Sequence, residues 1–142
     1  MLSCTFFGHK ECPDDIRGRI KEVIRELIET KEVRIFYVGN QGNFDALVYN
    51  ALREIEKEYP EISYSAVLAY MPLESDRLRI PSKTMLPEGI EGIHPKYAIA
   101  WRNDWMLKRS TYVVTYVTHS WGGAAKYAEK ARKMGRTVIE LL

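Results

Sequence analysis

Tyr112-Val113-Val114-Thr115-Tyr116-Val117-Thr118-His119-Ser120-Trp121-Gly122-Gly123-Ala124-Ala125 is the stretch on which the reading of this chain turns. Tyr112 to Val117 is rich in β-branched and aromatic residues and predicts a strand. The alanine-rich pattern after Gly123 predicts a helix, so the chain passes from strand to helix through two glycines. Backbone N–H groups at a helix N-terminus have no intrahelical partner and lie at the positive end of the helix dipole, and glycine allows a ligand to approach them closely. The stretch therefore predicts an anion cradle.

The same strand, loop and helix unit recurs upstream. Leu2 to Phe7 is an apolar run ending at Gly8, without clear alternation, as suits a strand buried on both faces of a parallel sheet. The loop Gly8-His9-Lys10 follows, and Pro13-Asp14-Asp15 opens a helix that places Ile16, Ile20, Val23, Ile24, Leu27 and Ile28 on one face. Val33 to Val38 predicts a second strand, broken at Gly39-Asn40-Gln41-Gly42-Asn43 before helical spacing resumes at Phe44, Leu47, Val48, Ala51, Leu52 and Ile55. A third strand is expected over Ser65 to Tyr70, after a Tyr59-Pro60 break. Residues 71–95, with Pro72, Pro81, Pro87 and Pro95, show no regular period and read as a long connection. Pro95 starts a helix reaching about Arg109, the stretch quoted above follows, Gly135 ends its helix, and Thr137 to Leu141 is a fifth strand.

Alternating strands and helices predict an α/β fold: a Rossmann-like, doubly wound, five-stranded parallel sheet with helices on both faces. The longest connection joins the third and fourth strands, as expected if the chain returns there across the sheet, which gives the order 3-2-1-4-5. With 142 residues, 46% hydrophobic and 28% charged, one domain over 1–142 is expected. The 21 basic and 19 acidic residues are interspersed, and the absence of a basic run argues against a nucleic-acid partner. Two cysteines, Cys4 and Cys12, are read as reduced thiols. The N-terminus lacks the layout of a secretion signal and no apolar run approaches the ~20 residues that span a bilayer, so a cytoplasmic protein without a membrane partner is expected.

Ligands of such sheets bind beyond the carboxyl ends of the strands where the order reverses, here between the first and fourth strands. Three loops meet there: Gly8, His9 and Lys10; Gly39, Asn40, Gly42, Phe44 and Asp45; and His119, Ser120, Trp121, Gly122 and Gly123. Lys10 is a phosphate partner beside a glycine, Trp121 or Phe44 a stacking surface for a base, and His119 a group able to carry a proton near neutrality. Asp45 is either a helix-terminal acid or a contact to a ribose hydroxyl. Acids at Glu11, Asp14 and Asp15 disfavour a reactive Cys12 thiolate. No His, Cys and acid spacing fits a metal, and neither a metal nor a resident cofactor is expected. No G-x-G-x-x-G follows the first strand and no G-x-x-x-x-G-K-[ST] occurs, which removes the main support for dinucleotide-binding and P-loop readings.

Phe6-Phe7-Gly8-His9-Lys10, Tyr37-Val38-Gly39-Asn40-Gln41-Gly42-Asn43-Phe44-Asp45, and Arg102-Asn103 with Met106 and Ser110 together resemble the SLOG superfamily. This Rossmann-like group includes the LOG-type nucleoside-monophosphate phosphoribohydrolases and the DprA/Smf DNA-processing proteins. Within it the chain most resembles the small DUF1273 (YpsA-like) proteins. The resemblance implies a nucleotide or nucleotide-derived small molecule across the crevice, with Arg102 as a phosphate or ribose contact. LOG enzymes carry a Pro-Gly-Gly-x-Gly-Thr-x-x-Glu loop, and Ala125 or Lys126 stands here where its glutamate belongs. Glu129 lies one helical turn farther on. The expectation is a binding domain, in the manner of a sensor. Its alternatives are an N-glycosidase that uses Asp45, His119 or Glu129, and a homo-oligomer assembled through Trp101, Trp105 and Trp121.

Overall fold

A computed structural model of the chain describes residues 1–73 and 82–142. Among the described residues six strands form one sheet: β1 (Leu2–Gly8), β2 (Val33–Val38), β3 (Ser63–Val67), β4 (Thr84–Met85), β5 (Tyr112–Tyr116) and β6 (Thr137–Glu140). Four α-helices accompany them among the same residues: α1 (Arg17–Lys31), α2 (Gly42–Glu58), α3 (Pro95–Lys108) and α4 (Gly123–Lys133). Every pairing is parallel and the order is β4-β3-β2-β1-β5-β6. The expected order of the five recognised strands is thus present, with a sixth strand added at one edge.

Strand alternation divides the core between the two faces. Cys4 and Phe6 of β1, Phe36 and Val38 of β2, and Val114 and Tyr116 of β5 join Ile20, Ile24 and Leu27 of α1 and Val48, Leu52 and Ile55 of α2. Phe7, Tyr37 and Val113 point the other way, toward Met106 and Leu107 of α3 and Tyr127 and Ala131 of α4. The central strand β1 has only Leu2 exposed, and Gly8 half-buried at its end, which explains its lack of polar alternation.

Three local expectations are corrected. The third strand lies at Ser63–Val67 rather than 65–70, because pairing with β2 (Ile35 opposite Ser63, Val38 opposite Ala66) sets its limits rather than its most apolar residues. The connection expected to lack regular structure contains β4, held by Ala66 N–H to Lys83 O (2.8 Å) and Leu68 N–H to Met85 O (2.9 Å), and a 3₁₀ turn at Ile90–Gly92. Two residues cannot display a period, so this strand had no sequence signal; residues 74–81 of the same connection lie outside the described residues. Finally, Asp14–Ile16 forms a 3₁₀ turn and the α-helix proper starts at Arg17.

The register aligns the strand ends. Gly8 pairs with Tyr116 and Val38 with Ala66, so the loops after β1, β2 and β5 leave the sheet on one edge, with the reversal between β1 and β5. Among the described residues no helix is long and apolar enough to cross a membrane.

Candidate functional site

The three loops are tied to one another by hydrogen bonds. Asn43 joins the second loop to the first through its backbone N–H to Lys10 O (2.9 Å) and its side-chain amide to Cys12 O (2.7 Å) and the Asp14 carboxylate (2.9 Å). His9 joins the first to the third, its Nε2 accepting the Thr118 N–H at 2.9 Å. An accepting Nε2 requires the neutral ring, and burial together with the neighbouring His119 lowers the His9 pKa accordingly. Arg102 fastens α3 to the second loop and the end of β3: Nη1 donates to Val67 O (2.6 Å) and Asn40 Oδ1 (3.4 Å), and Nε to Asn103 Oδ1 (2.9 Å).

Together they frame a cleft of about 630 Å³. Ile99, Arg102, Asn103 and Met106, at helical spacing on α3, form one wall, and His119, Trp121 and Gly122 to Ala124 form another. Three glycines at this edge are required by internal packing. A Cβ at Gly8 would fall 2.3 Å from the Phe44 ring; at Gly39, 2.8 Å from Asp45 Oδ2 and 3.0 Å from Arg102 Nη1; and at Gly42, where φ is +88°, 2.6 Å from Lys10 Cα. Gly123 has nothing within 4 Å of its would-be Cβ, and Gly122 only the His119 Cε1 at 4.0 Å. Gly122 caps α4 with φ +92° and without a side-chain hydrogen bond. The first N–H groups of α4 therefore open on the cleft without a capping side chain, as an anion site requires.

Above the first loop three rings form a ladder. His9 and His119 stack with centroids 3.7 Å apart and 15° between planes, and His119 and Trp121 stack at 3.8 Å and 18°. Trp121, 69% exposed, is the outer rung. The His119 Nδ1 is buried without a hydrogen-bond partner.

Asp45 also lines the cleft. Its Oδ2 accepts the Gln41 N–H at 2.9 Å. Burial pushes its pKa up to about 6, against the opposing pull of that N–H, of Arg102 and of Lys10. The Arg102 guanidinium is 2% exposed; burial lowers its pKa, the neighbouring Asp45 opposing the shift. Its Nη2 has no hydrogen-bond partner among the described residues.

Of the residues expected at the site, Gly8, His9, Lys10, Gly39, Asp45, Arg102, His119, Trp121, Gly122 and Gly123 line the cleft. Phe44 does not: it is fully buried beneath Gly8 and stacked on Tyr116, so it supports the first loop and cannot meet a base. Asn40 and Gly42 are exposed but do not line the cleft; Asn40 accepts from Arg102 and Gly42 packs against Lys10. Ser120 and Glu129 lie on an outer surface with Lys126, Lys130 and Lys133, and Glu129 pairs with Lys133 at 3.5 Å. Glu129 does not line the cleft. The tryptophans do not form one patch: Trp101 and Trp105 border a separate hollow, with Trp105 between Tyr37 and Arg109. Lining residues not anticipated as contacts include Glu11, Gln41, Ile99, Asn103, Met106 and Thr118; the spacing of 99, 102, 103 and 106 on one helix is the signal that marks the α3 wall. Among the described residues no three His, Cys, Asp or Glu side chains converge as metal ligands.

No family model matches the chain, and no curated protein matches it. Solved structures do. DNA processing protein A from Streptococcus pneumoniae superposes with a TM-score of 0.71 at 16% identity, over 99% of this chain and 50% of that one. The fold is shared with DNA processing protein A. The protein of that name from Helicobacter pylori gives a TM-score of 0.62 at 15% identity, over 98% of this chain and 64% of that one. The chain thus spans half of the first and under two thirds of the second.

One expectation is corrected by this comparison. The Helicobacter structure is described as showing the single-stranded DNA binding mode of that protein, so this fold does not argue against a nucleic-acid partner. The contrary expectation rested on the lack of a basic run in the sequence. Folding supplies what linear order hides, because Lys126, Lys130 and Lys133 recur at helical spacing on one surface of α4 beside Gly122.

Proposed function

We propose that the cleft binds a nucleotide, with the phosphate at the N-terminus of α4 near Lys10 and the base stacked on the outer face of Trp121. The observation that carries this reading is the pairing of an open helix N-terminus at Gly122–Gly123 with the three-ring ladder that ends in an exposed indole. A single domain over 1–142 acting as a sensor of a nucleotide-derived small molecule is the form of the proposal closest to the YpsA-like resemblance. Calorimetric titration with AMP, GMP, CMP, UMP and a short oligonucleotide tests it. At least one ligand is expected to bind, and Gly123→Asp, which sets a carboxylate at the helix N-terminus, is expected to abolish that binding. The proposal fails if nothing binds or if the variant binds like the wild type.

A second reading, in which the bound nucleotide is one unit of a single strand, is favoured by the lysines of α4. Lys126, Lys130 and Lys133 share an outer surface with Ser120 and Gly122, next to the mouth of the cleft. Binding of the oligonucleotide much more tightly than any mononucleotide supports this reading over the first.

A further inference from the structure

We infer that Asp45 accepts a hydrogen bond from the 2′-hydroxyl of the ligand, so that the cleft takes ribonucleotides in preference to their 2′-deoxy counterparts. This inference rests on the nucleotide reading above and specifies the sugar.

The two carboxylate oxygens of Asp45 are in different situations. Oδ2 is engaged by the Gln41 N–H at 2.9 Å and lies where a side chain at position 39 would collide with it, so Gly39 is what admits this carboxylate to the loop. Oδ1 has no hydrogen-bond partner among the described residues, and Asp45 lines the cleft. Among the described residues one oxygen is thus held and the other remains able to accept a hydrogen bond.

Two acids, Glu11 and Asp45, line a cleft proposed for an anion, and a carboxylate repels phosphate. The proposed phosphate donors are the α4 N-terminus and Lys10, whose charge also acts on Asp45, and the proposed stacking surface is Trp121. What remains of a nucleotide between phosphate and base is the sugar, whose hydroxyls are neutral donors suited to a carboxylate oxygen. The 2′-hydroxyl is the one such donor that a free nucleotide and an internal unit of a strand both present. A ligand without it leaves Oδ1 of a half-buried carboxylate unpaired, and losing one hydrogen bond to a charged group weakens binding about tenfold or more.

The test compares AMP with 2′-deoxy-AMP and 2′-O-methyl-AMP, and hexameric riboadenylate with hexameric deoxyadenylate, on the full chain by calorimetry. The ribo form is expected to bind about tenfold more tightly than the deoxy and methylated forms, and Asp45→Asn to bring them within threefold of one another. A preference among mononucleotides alone upholds the inference and identifies a free nucleotide as the ligand; one that extends to the hexamers upholds it for a strand. Equal binding of all forms by the wild type, or a preference that survives in Asp45→Asn, overturns it while leaving the nucleotide reading intact. Absence of binding by any of the five, and by GMP, CMP and UMP, overturns both. The three mononucleotides need no variant, so the inference stays testable if Asp45→Asn folds poorly.

Discussion

Asp45 lies in the cleft at a cost to stability. Its pKa, pushed up to about 6, lies above the ~3.9 of an exposed aspartate, so between those values the folded chain binds a proton that the unfolded chain does not. Stability therefore falls as pH rises from about 4 to about 6, and above that the full cost of ionising the carboxyl is present. Asp45→Asn retains an amide oxygen for the Gln41 N–H and removes the charge. Thermal or urea unfolding is expected to find this variant more stable than the wild type at pH 7, by on the order of 2 kcal/mol, with the difference vanishing toward pH 4. A variant less stable than the wild type at pH 7 would mean that attraction from Lys10 and Arg102 outweighs desolvation. The sequence marked Asp45 as ambiguous between helix-terminal acid and sugar contact, and its identity alone could not resolve this. What the structure adds is the placement of Oδ2 on the Gln41 N–H and against Gly39, which depends on a loop closed by residues from other segments.

The helix α4 shows the same division between local and long-range information. Its beginning was legible, because two glycines between a β-branched run and an alanine-rich run leave few alternatives, and the open N-terminus follows from having no capping side chain. Gly123→Asp separates the two consequences of that terminus. A carboxylate in the first turn complements the helix dipole, so the variant is expected to unfold at the same denaturant concentration as the wild type or higher, by up to about 1 kcal/mol, while it loses the ligand. Destabilisation accompanying the loss would instead attribute the binding defect to damage of the fold. Glycines elsewhere were legible as turns but not by purpose: Gly8 and Gly39 are required by Phe44 and by Asp45 with Arg102, side chains from other elements. Phe44 was misjudged for that reason, since helical spacing gives a face but not the loop that covers it. The strand β4 was invisible because two residues owe their conformation to an available sheet edge rather than to their own pattern.

For the whole molecule, parallel topology and strand order followed from connection lengths, and the order in turn located the cleft. Electrostatics did not follow so directly. A net charge of +2 with interspersed signs describes the chain but not its surfaces. On α4, Lys130 is paired with Asp104 at 2.5 Å and Lys133 with Glu129 at 3.5 Å, whereas no ion pair involves Lys126 among the described residues. These exposed pairs are weak, and a phosphate chain competes for the lysines by releasing its counterions. If a strand leaves the cleft along α4, changing Lys126 and Lys133 to glutamine removes two phosphate contacts without touching the mononucleotide site. The double variant is then expected to bind AMP like the wild type and an oligonucleotide more weakly. The slope of log K against log salt for the oligonucleotide should become shallower by about 1.4, since each phosphate contact on a single strand contributes about 0.7. An unchanged slope would place any strand on another surface and leave α4 with the mononucleotide role of its N-terminus alone.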